Sequence, residues 1–351
     1  MIRRLRLLAL APALAAAPAF LSATPGDPPG VEAVLVTIEN DKFFAGSDRH
    51  YTQGLRVQLG SHRDVNGEFE RRVDFFLRRL PWHATLEDAK ATFAFGQDIF
   101  TPTDTETAAL IPTDRPYAAW LYLAAGYHAI ITPEPRPGRP ALFNKRSFSA
   151  EITYGIVGAG ALGEQAQNGW HDVINVPHSQ GWHNQLRSEP GLNFAADWRY
   201  RWRRGHLDVI PRLSLALGNI HTHFAVGAAL RLGFNLPEDF GADLIRPAGA
   251  AAGDAPARFG ANIFVSGEAR AVARNIFLDG NSWKASHSVD KRPVVGDLNA
   301  GFTLHGPSGW LTRWTGARGW LLTYAQNYRT KEFHGQPKRD VFGSVSFGLL
   351  Y

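Results

Sequence analysis

Between Arg146 and Ile156 the chain alternates apolar and polar residues without a break. Phe148, Ala150, Ile152, Tyr154 and Ile156 fall on one face, and Ser147, Ser149, Glu151, Thr153 and Gly155 on the other. Period two with one wholly apolar face and one polar, partly charged face predicts a strand separating two different solvents. The pattern recurs along the chain. Val34, Val36 and Ile38 oppose Thr37 and Glu39; Leu55, Val57 and Leu59 oppose Arg56 and Gln58. Leu192, Phe194, Ala196, Trp198 and Tyr200 oppose Asn193, Asp197 and Arg199; Leu207, Val209, Leu213, Leu215 and Leu217 oppose Asp208, Arg212 and Ser214. Further strands are expected near 92–98, 118–127, 223–232, 259–270, 293–304 and 319–328, and a terminal one places Val345, Phe347, Leu349 and Tyr351 on one face.

The count is about twelve, and many strands approach the roughly nine to eleven residues that cross a bilayer at a tilt. An even number brings both termini to one side. The expected fold is all-β: a closed antiparallel transmembrane β-barrel of about twelve strands, with a short helix in an outward loop. Trp120, Tyr122, Trp198, Tyr200, Trp320 and Tyr351 lie near strand ends and are expected in interfacial aromatic girdles. The rival reading is a soluble sandwich or barrel whose apolar faces meet in one core.

The N-terminus bears on that choice. Arg3, Arg4 and Arg6 precede a short apolar run from Leu7 to about Leu21, followed by small residues. This reads as a secretory signal over 1–23, with a lead over 24–32 and a single barrel domain over 33–351. No later run reaches the roughly eighteen apolar residues of a spanning helix. Cysteine is absent, which excludes disulfides, thiolate nucleophiles and cysteine zinc sites. The formal charge of +5 suits acidic partners such as phosphorylated lipids, or equally a solvated basic surface; nucleic acid is not an expected partner.

Gly158, Gly160 and Gly163 have the spacing of a dinucleotide-binding turn. The strand before them has one polar face, whereas the first strand of a parallel nucleotide-binding sheet is covered on both sides and apolar throughout. No βαβ repeat follows. The glycines are therefore expected to let the chain leave the fifth strand, turn sharply and begin a helix of about 161–176 beside the barrel wall.

With both termini on the periplasmic side, the connections near 40–50, 99–117, 157–190, 218–222, 271–292 and 329–340 face outward. Polar clusters gather in several of them. The blocks "ENDKFFAGSDRHYTQGLR", "GQDIFTPTDTETAALIPTDRPYAAWLY", "LGEQAQNGWH", "GWHNQLRSEPGLN" and "ARNIFLDGNSWKASHSVDKRPVVGDL" resemble, in order, those of the outer-membrane lipid A 3′-O-deacylase family. With the strands between them they cover essentially the whole mature chain. The resemblance implies a twelve-stranded barrel with a site between its wall and a helix in an outward loop. It also implies calcium-dependent hydrolysis of the ester holding the 3′ acyloxyacyl chain of lipid A, the lipid anchor of lipopolysaccharide.

By the family's motif, His171 is the general base, with Gln167 four residues earlier on the same helical face to orient the imidazole or the substrate. Asn40 and Asp41 match the family's Asn-Asp pair and Thr52 its motif threonine; these three are also the expected oxygen ligands of calcium. A histidine base, a water nucleophile and a cation suit ester hydrolysis in a chain without cysteine or a G-x-S-x-G elbow. Each residue has an ordinary rival: a structural histidine, an Asn-Asp turn, an inward strand threonine. The pattern departs where the family has a lysine in the third connection, since none precedes Arg115 there.

Asp114 with Arg115, and Asp48 with Arg49, read as loop-bracing ion pairs. His221 and His223 read as an exposed loop edge rather than a metal site, and Lys291 with Arg292 as contacts to a lipid A phosphate or solvated cations. Two other functions remain open on the residues alone: a passive channel or adhesion barrel, and an outer-membrane phospholipase. A closed barrel has no edge to pair, so a monomer is expected.

Overall fold

The computed structural model describes residues 30–41, 50–63, 66–79, 84–133, 145–241, 254–309 and 312–351. The expected signal segment and the Asp48–Arg49 pair lie outside them. Twelve strands form: β1 (Ala33–Asn40), β2 (His50–His62), β3 (Ala84–Thr101), β4 (Ala118–Pro133), β5 (Lys145–Val157), β6 (Glu189–Arg204), β7 (Leu207–Gly218), β8 (His221–Phe234), β9 (Gly260–Asn275), β10 (Val294–Pro307), β11 (Gly319–Arg329) and β12 (Asp340–Leu350). Each pairs antiparallel with its chain neighbours, and β12 returns to β1 to close the barrel. The helices are α1 (Glu68–Leu77), α2 (Gly163–Ile174), α3 (Ile276–Asp279) and α4 (Thr312–Thr315). No described helix is long and apolar enough to cross a membrane. The connections after odd-numbered strands define the loop end of the barrel; β1 starts and β12 finishes at the other, terminal end.

The two faces of the wall are what the alternation predicts. Ile152, Tyr154, Leu192, Phe194, Trp198, Leu230, Leu232, Ile263 and Leu298 are exposed on the outside. Their polar neighbours Ser149, Glu151, Thr153, Asn193, Asp197, Arg231 and Asn299 are buried within. This is the inverse of a soluble barrel, and lipid is the solvent that makes an exposed apolar band stable. Ions buried in the lumen are paired, as they must be away from water: Arg56 with Glu151 at 2.6 Å, Arg270 and Arg329 with Asp297 at 2.6 and 2.8 Å.

Two expectations about aromatics and histidines are overturned by this register. Trp120 and Tyr122 do not join a girdle; they share the inward face with Asp98 and are 3% exposed. Gly96, directly across from Tyr122, leaves the room its ring occupies. His221 and His223 are not an exposed loop edge but line a lumenal cavity of about 90 Å³ with Arg270, Arg329 and Phe342. The β7–β8 connection is so short that β8 begins at His221 and carries both rings inside.

Both mouths are filled. At the terminal end the segment after β8 folds into the lumen: Glu238 pairs with Arg201 at 2.5 Å and Arg203 at 2.6 Å, Asp239 pairs with Arg231, and Phe240 is buried under the Arg201 guanidinium. At the loop end α3 dips inward, and Phe277 stacks on Phe100 with ring centres 4.0 Å apart. The first long connection at the terminal end is used by α1 and by β3, which begins at Ala84, earlier than the alternation indicates.

Candidate active site between helix and barrel wall

Helix α2 lies against the outside of the wall at the loop end. Gly158 starts the approach with φ +87°, and a Cβ there would stand 2.5 Å from the Leu186 carbonyl oxygen. Gly163 finishes it, since a Cβ would stand 2.5 Å from that of Ala119. The dinucleotide spacing is thus met by one left-handed turn and close packing, as expected. Ala161 and Trp182 pack with Ile99, Tyr117 and Ala119, and Gln97 on β3 donates to the Ala161 carbonyl at 2.7 Å. The helix is about two residues shorter at each end than the sequence indicates, because Ala159–Ala161 forms a separate tight turn and Asn175 takes a left-handed cap.

Gly163, Gln167 and His171 form the buried stripe of α2. After the Asn175 cap, Val176 donates to the His171 carbonyl and the chain doubles back. That reversal places the Pro177 carbonyl 2.6 Å from His171 Nδ1. A carbonyl only accepts, so Nδ1 carries the proton and Nε2 of the neutral ring keeps its lone pair. Asn168 pins the returning strand by accepting from the Ser179 N–H at 2.9 Å.

Gln167 is oriented in the same way. The Trp182 indole N–H, a donor only, lies 3.0 Å from Gln167 Oε1. The amide is therefore turned with Nε2 away from Trp182, and that Nε2 is buried without an acceptor among the described residues. Leaving such a donor unsatisfied costs about 1–3 kcal/mol, unless a ligand supplies the acceptor.

Asn40 ends β1 and Asp41 follows it, buried, with its N–H 3.5 Å from the Thr52 carbonyl. Thr52 is the extra residue of a bulge, where the β2–β3 register moves from Tyr51↔Phe100 to Gln53↔Ile99. A bulge re-aims a side chain, and here it turns the Thr52 hydroxyl to Thr101 Oγ1 at 2.7 Å. Thr101 lies two residues along the outer face of β3 from Ile99, on which the helix packs. The fold thus brings Asn40, Asp41 and Thr52 to the loop end of the wall, on strands beside the β3 surface on which α2 packs. Asn40, Asp41 and Thr52 offer oxygen donors only, including one buried carboxylate, and so fit a hard cation such as calcium. The separate cluster of His62, Asp88 and Asp254 belongs to the terminal end, where Lys90 already pairs with Asp254 at 2.9 Å.

His50 anchors this corner. It is fully buried at φ +64°, with Nδ1 2.5 Å from Asp340 and Nε2 3.1 Å from Thr103 Oγ1 and 3.4 Å from Asp114. The connection after β3 and the start of β12 are so tied to the residue two before Thr52. Burial works to raise the Asp114 carboxyl, but hydrogen bonds from His50 and the Thr103 N–H hold it well below the usual range. Asp114 and Arg115 are not the ion pair expected from their adjacency. Arg115 reaches instead to Glu332 at 3.3 Å and lies over Phe100, because successive residues point apart. Lys291 is paired with Asp279 at 2.8 Å, and Arg292 lines the lumenal cavity, so neither is a solvated cation.

Trp182, Thr101 and the Pro177 carbonyl escape residue-by-residue reading of the sequence. Their roles depend on chain reversals and a bulge, although Trp182 stands inside the quoted "GWHNQ" block.

A closed barrel with a lipid-facing exterior and a polar, plugged lumen, carrying a histidine-bearing helix on its outer wall, is the architecture of an outer-membrane protein. The family model described as "Outer membrane protein LpxR" matches residues 5–351. The chain belongs to that family, the lipid A 3′-O-deacylase family whose sequence blocks it carries. Among solved structures it is similar to LpxR from Salmonella typhimurium, at 17% identity and a TM-score of 0.69, over 91% of this chain and 100% of that one. It is also similar to the translocator domain of the autotransporter NalP from Neisseria meningitidis, at 11% identity and a TM-score of 0.36, over 97% of this chain and 95% of that one. No curated protein matches the sequence.

Proposed function

We propose that the protein is an outer-membrane esterase that removes the 3′-linked acyloxyacyl chain of lipid A, with its site at the outward end of the barrel. The observation that carries this reading is the buried stripe of α2. One helical face holds a histidine with its tautomer fixed for base work and a glutamine amide turned to donate, both against a wall whose neighbouring surface is lipid-facing.

In this mechanism the ester carbonyl lies between α2 and the wall. His171 Nε2 takes a proton from water as the water oxygen attacks the carbonyl carbon. The developing oxyanion accepts from Gln167 Nε2, whose direction Trp182 has already fixed. On collapse the imidazolium returns its proton to the 3′ sugar oxygen, which leaves as the hydroxyl, and the acid is released. Asp41, with Asn40 and Thr52, would hold calcium, which supplies a positive centre for the same oxyanion. Thr101 keeps the Thr52 hydroxyl in place.

The test is incubation of purified, folded protein with lipid A and, separately, with glycerophospholipid. The proposal predicts release of the 3′ acyloxyacyl acid from lipid A, blocked by chelator and restored by calcium. Release from glycerophospholipid with lipid A intact would make it a phospholipase instead.

A further inference from the structure

Beyond its buried stripe, α2 carries a second apolar face. Leu162, Trp170, Val173 and Ile174 are 48%, 51%, 70% and 38% exposed. At roughly 100° per residue Trp170, Val173 and Ile174 form one arc with the half-buried Ala166, and that arc adjoins the stripe of Gly163, Gln167 and His171; exposed Leu162 is the residue that caps the helix N-terminus. Glu164, Gln165, Asn168 and Asp172 occupy the remaining arc. In water such a helix would bury both apolar arcs or lose stability; one of them here is left open.

The barrel exterior shows what covers it. Leu123 and Tyr154, on the outer faces of β4 and β5, belong to the exposed apolar band. Next along these strands toward the loop end come Leu121 and Ile156, which pack beneath the helix together with Ala166. The open arc of α2 therefore continues the lipid-facing band without an intervening polar belt. Arg187 and Lys284 stand beside the helix entry: Ser188 bonds to the Gly160 N–H, and Lys284 bonds to the Ser188 carbonyl. Exposed Trp283 adjoins them. An apolar arc with cations and an indole at its edge is the arrangement of an interfacial helix.

We infer that Leu162, Trp170, Val173 and Ile174 are immersed among the acyl chains of the outer leaflet, so that α2 is an interfacial helix seated in the membrane rather than a loop standing in water. Glu164 and Asp172 then face the aqueous side.

The chain has no cysteine, so one introduced thiol reports one position. Val173→Cys and Asp172→Cys, each spin-labelled in vesicles containing phospholipid and lipopolysaccharide, are compared for relaxation by oxygen, which concentrates in lipid, and by a water-soluble nickel chelate. The inference predicts that the label at 173 responds more to oxygen and the label at 172 more to nickel. Trp170→Cys repeats the lipid-side reading if Val173→Cys fails to fold. Equal nickel access at both faces would overturn the inference. The readout needs no turnover, so its failure is distinguishable from failure of the hydrolysis proposal.

Discussion

Trp182 donates its indole N–H to Gln167 Oε1 across 3.0 Å, joining the β5–β6 return to the helix that carries His171. The bond decides which end of the amide is left to act. Gln167→Leu removes the donor and is expected to lower kcat about 100-fold or more, the usual effect of losing an oxyanion donor. Trp182→Phe keeps an aromatic ring between Tyr117 and Ala161 but releases the amide to rotate; it is expected to lower kcat about tenfold with KM nearly unchanged. A kinetic series on both variants checks this. Equal kcat in wild type and Trp182→Phe would show that the amide direction is irrelevant.

Asp41 supplies the carboxylate of the oxygen donor set. Asp41→Asn is expected to shift the calcium concentration giving half-maximal activity upward by at least about tenfold, without changing the barrel's heat-modifiable gel migration. Titration of chelated enzyme with calcium reads the shift directly.

Acid sensitivity follows from Asp114. Its carboxyl is held below its unfolded value of 3.8 by His50 and the Thr103 N–H. A depressed acid contributes stability that is fully present above the unfolded value and is lost as pH falls through the folded one. The stability advantage of wild type over Asp114→Asn should therefore be complete at pH 7 and shrink below about pH 4. Amide exchange of residues 102–117 at the two pH values measures it. An advantage that grew on acidification would contradict the assignment.

The filled mouths make a prediction about transport. Wild-type protein in a planar bilayer is expected to show no steady ion conductance, since Glu238 and Asp239 hold residues 236–240 against Arg201, Arg203 and Arg231. Conductance of porin size would favour the passive-channel reading instead.

The barrel was largely legible in the sequence because the alternation of one strand is enough to fix its two solvents. Ser147 through Ile156 sort onto faces as the chemistry requires, and the same rule locates every strand of the wall. What alternation leaves open is which aromatic points inward. Trp120 and Tyr122 are inside because Gly96 makes space for the Tyr122 ring across the sheet, a three-dimensional fact with no local signature. The candidate site was read from the order of motif blocks rather than from any single residue. His171 and Gln167 share a helical face by spacing alone, but the acceptor for His171 Nδ1 comes from a chain reversal at Asn175. The Thr52–Thr101 bond comes from a bulge. Adjacent charges proved the poorest guide: the Asp114 carboxylate pairs with His50 and the Arg115 guanidinium with Glu332.

The most direct test of the central claim is mass spectrometry of lipid A from Gram-negative cells carrying the wild-type protein or His171→Ala, both verified as folded in the outer membrane. The wild type is expected to yield lipid A lighter by the 3′ acyloxyacyl chain. His171→Ala is expected to leave lipid A intact, reflecting a loss of about 100-fold or more in rate. Identical lipid A from the two strains, with calcium present, would contradict a histidine-based hydrolysis at this site.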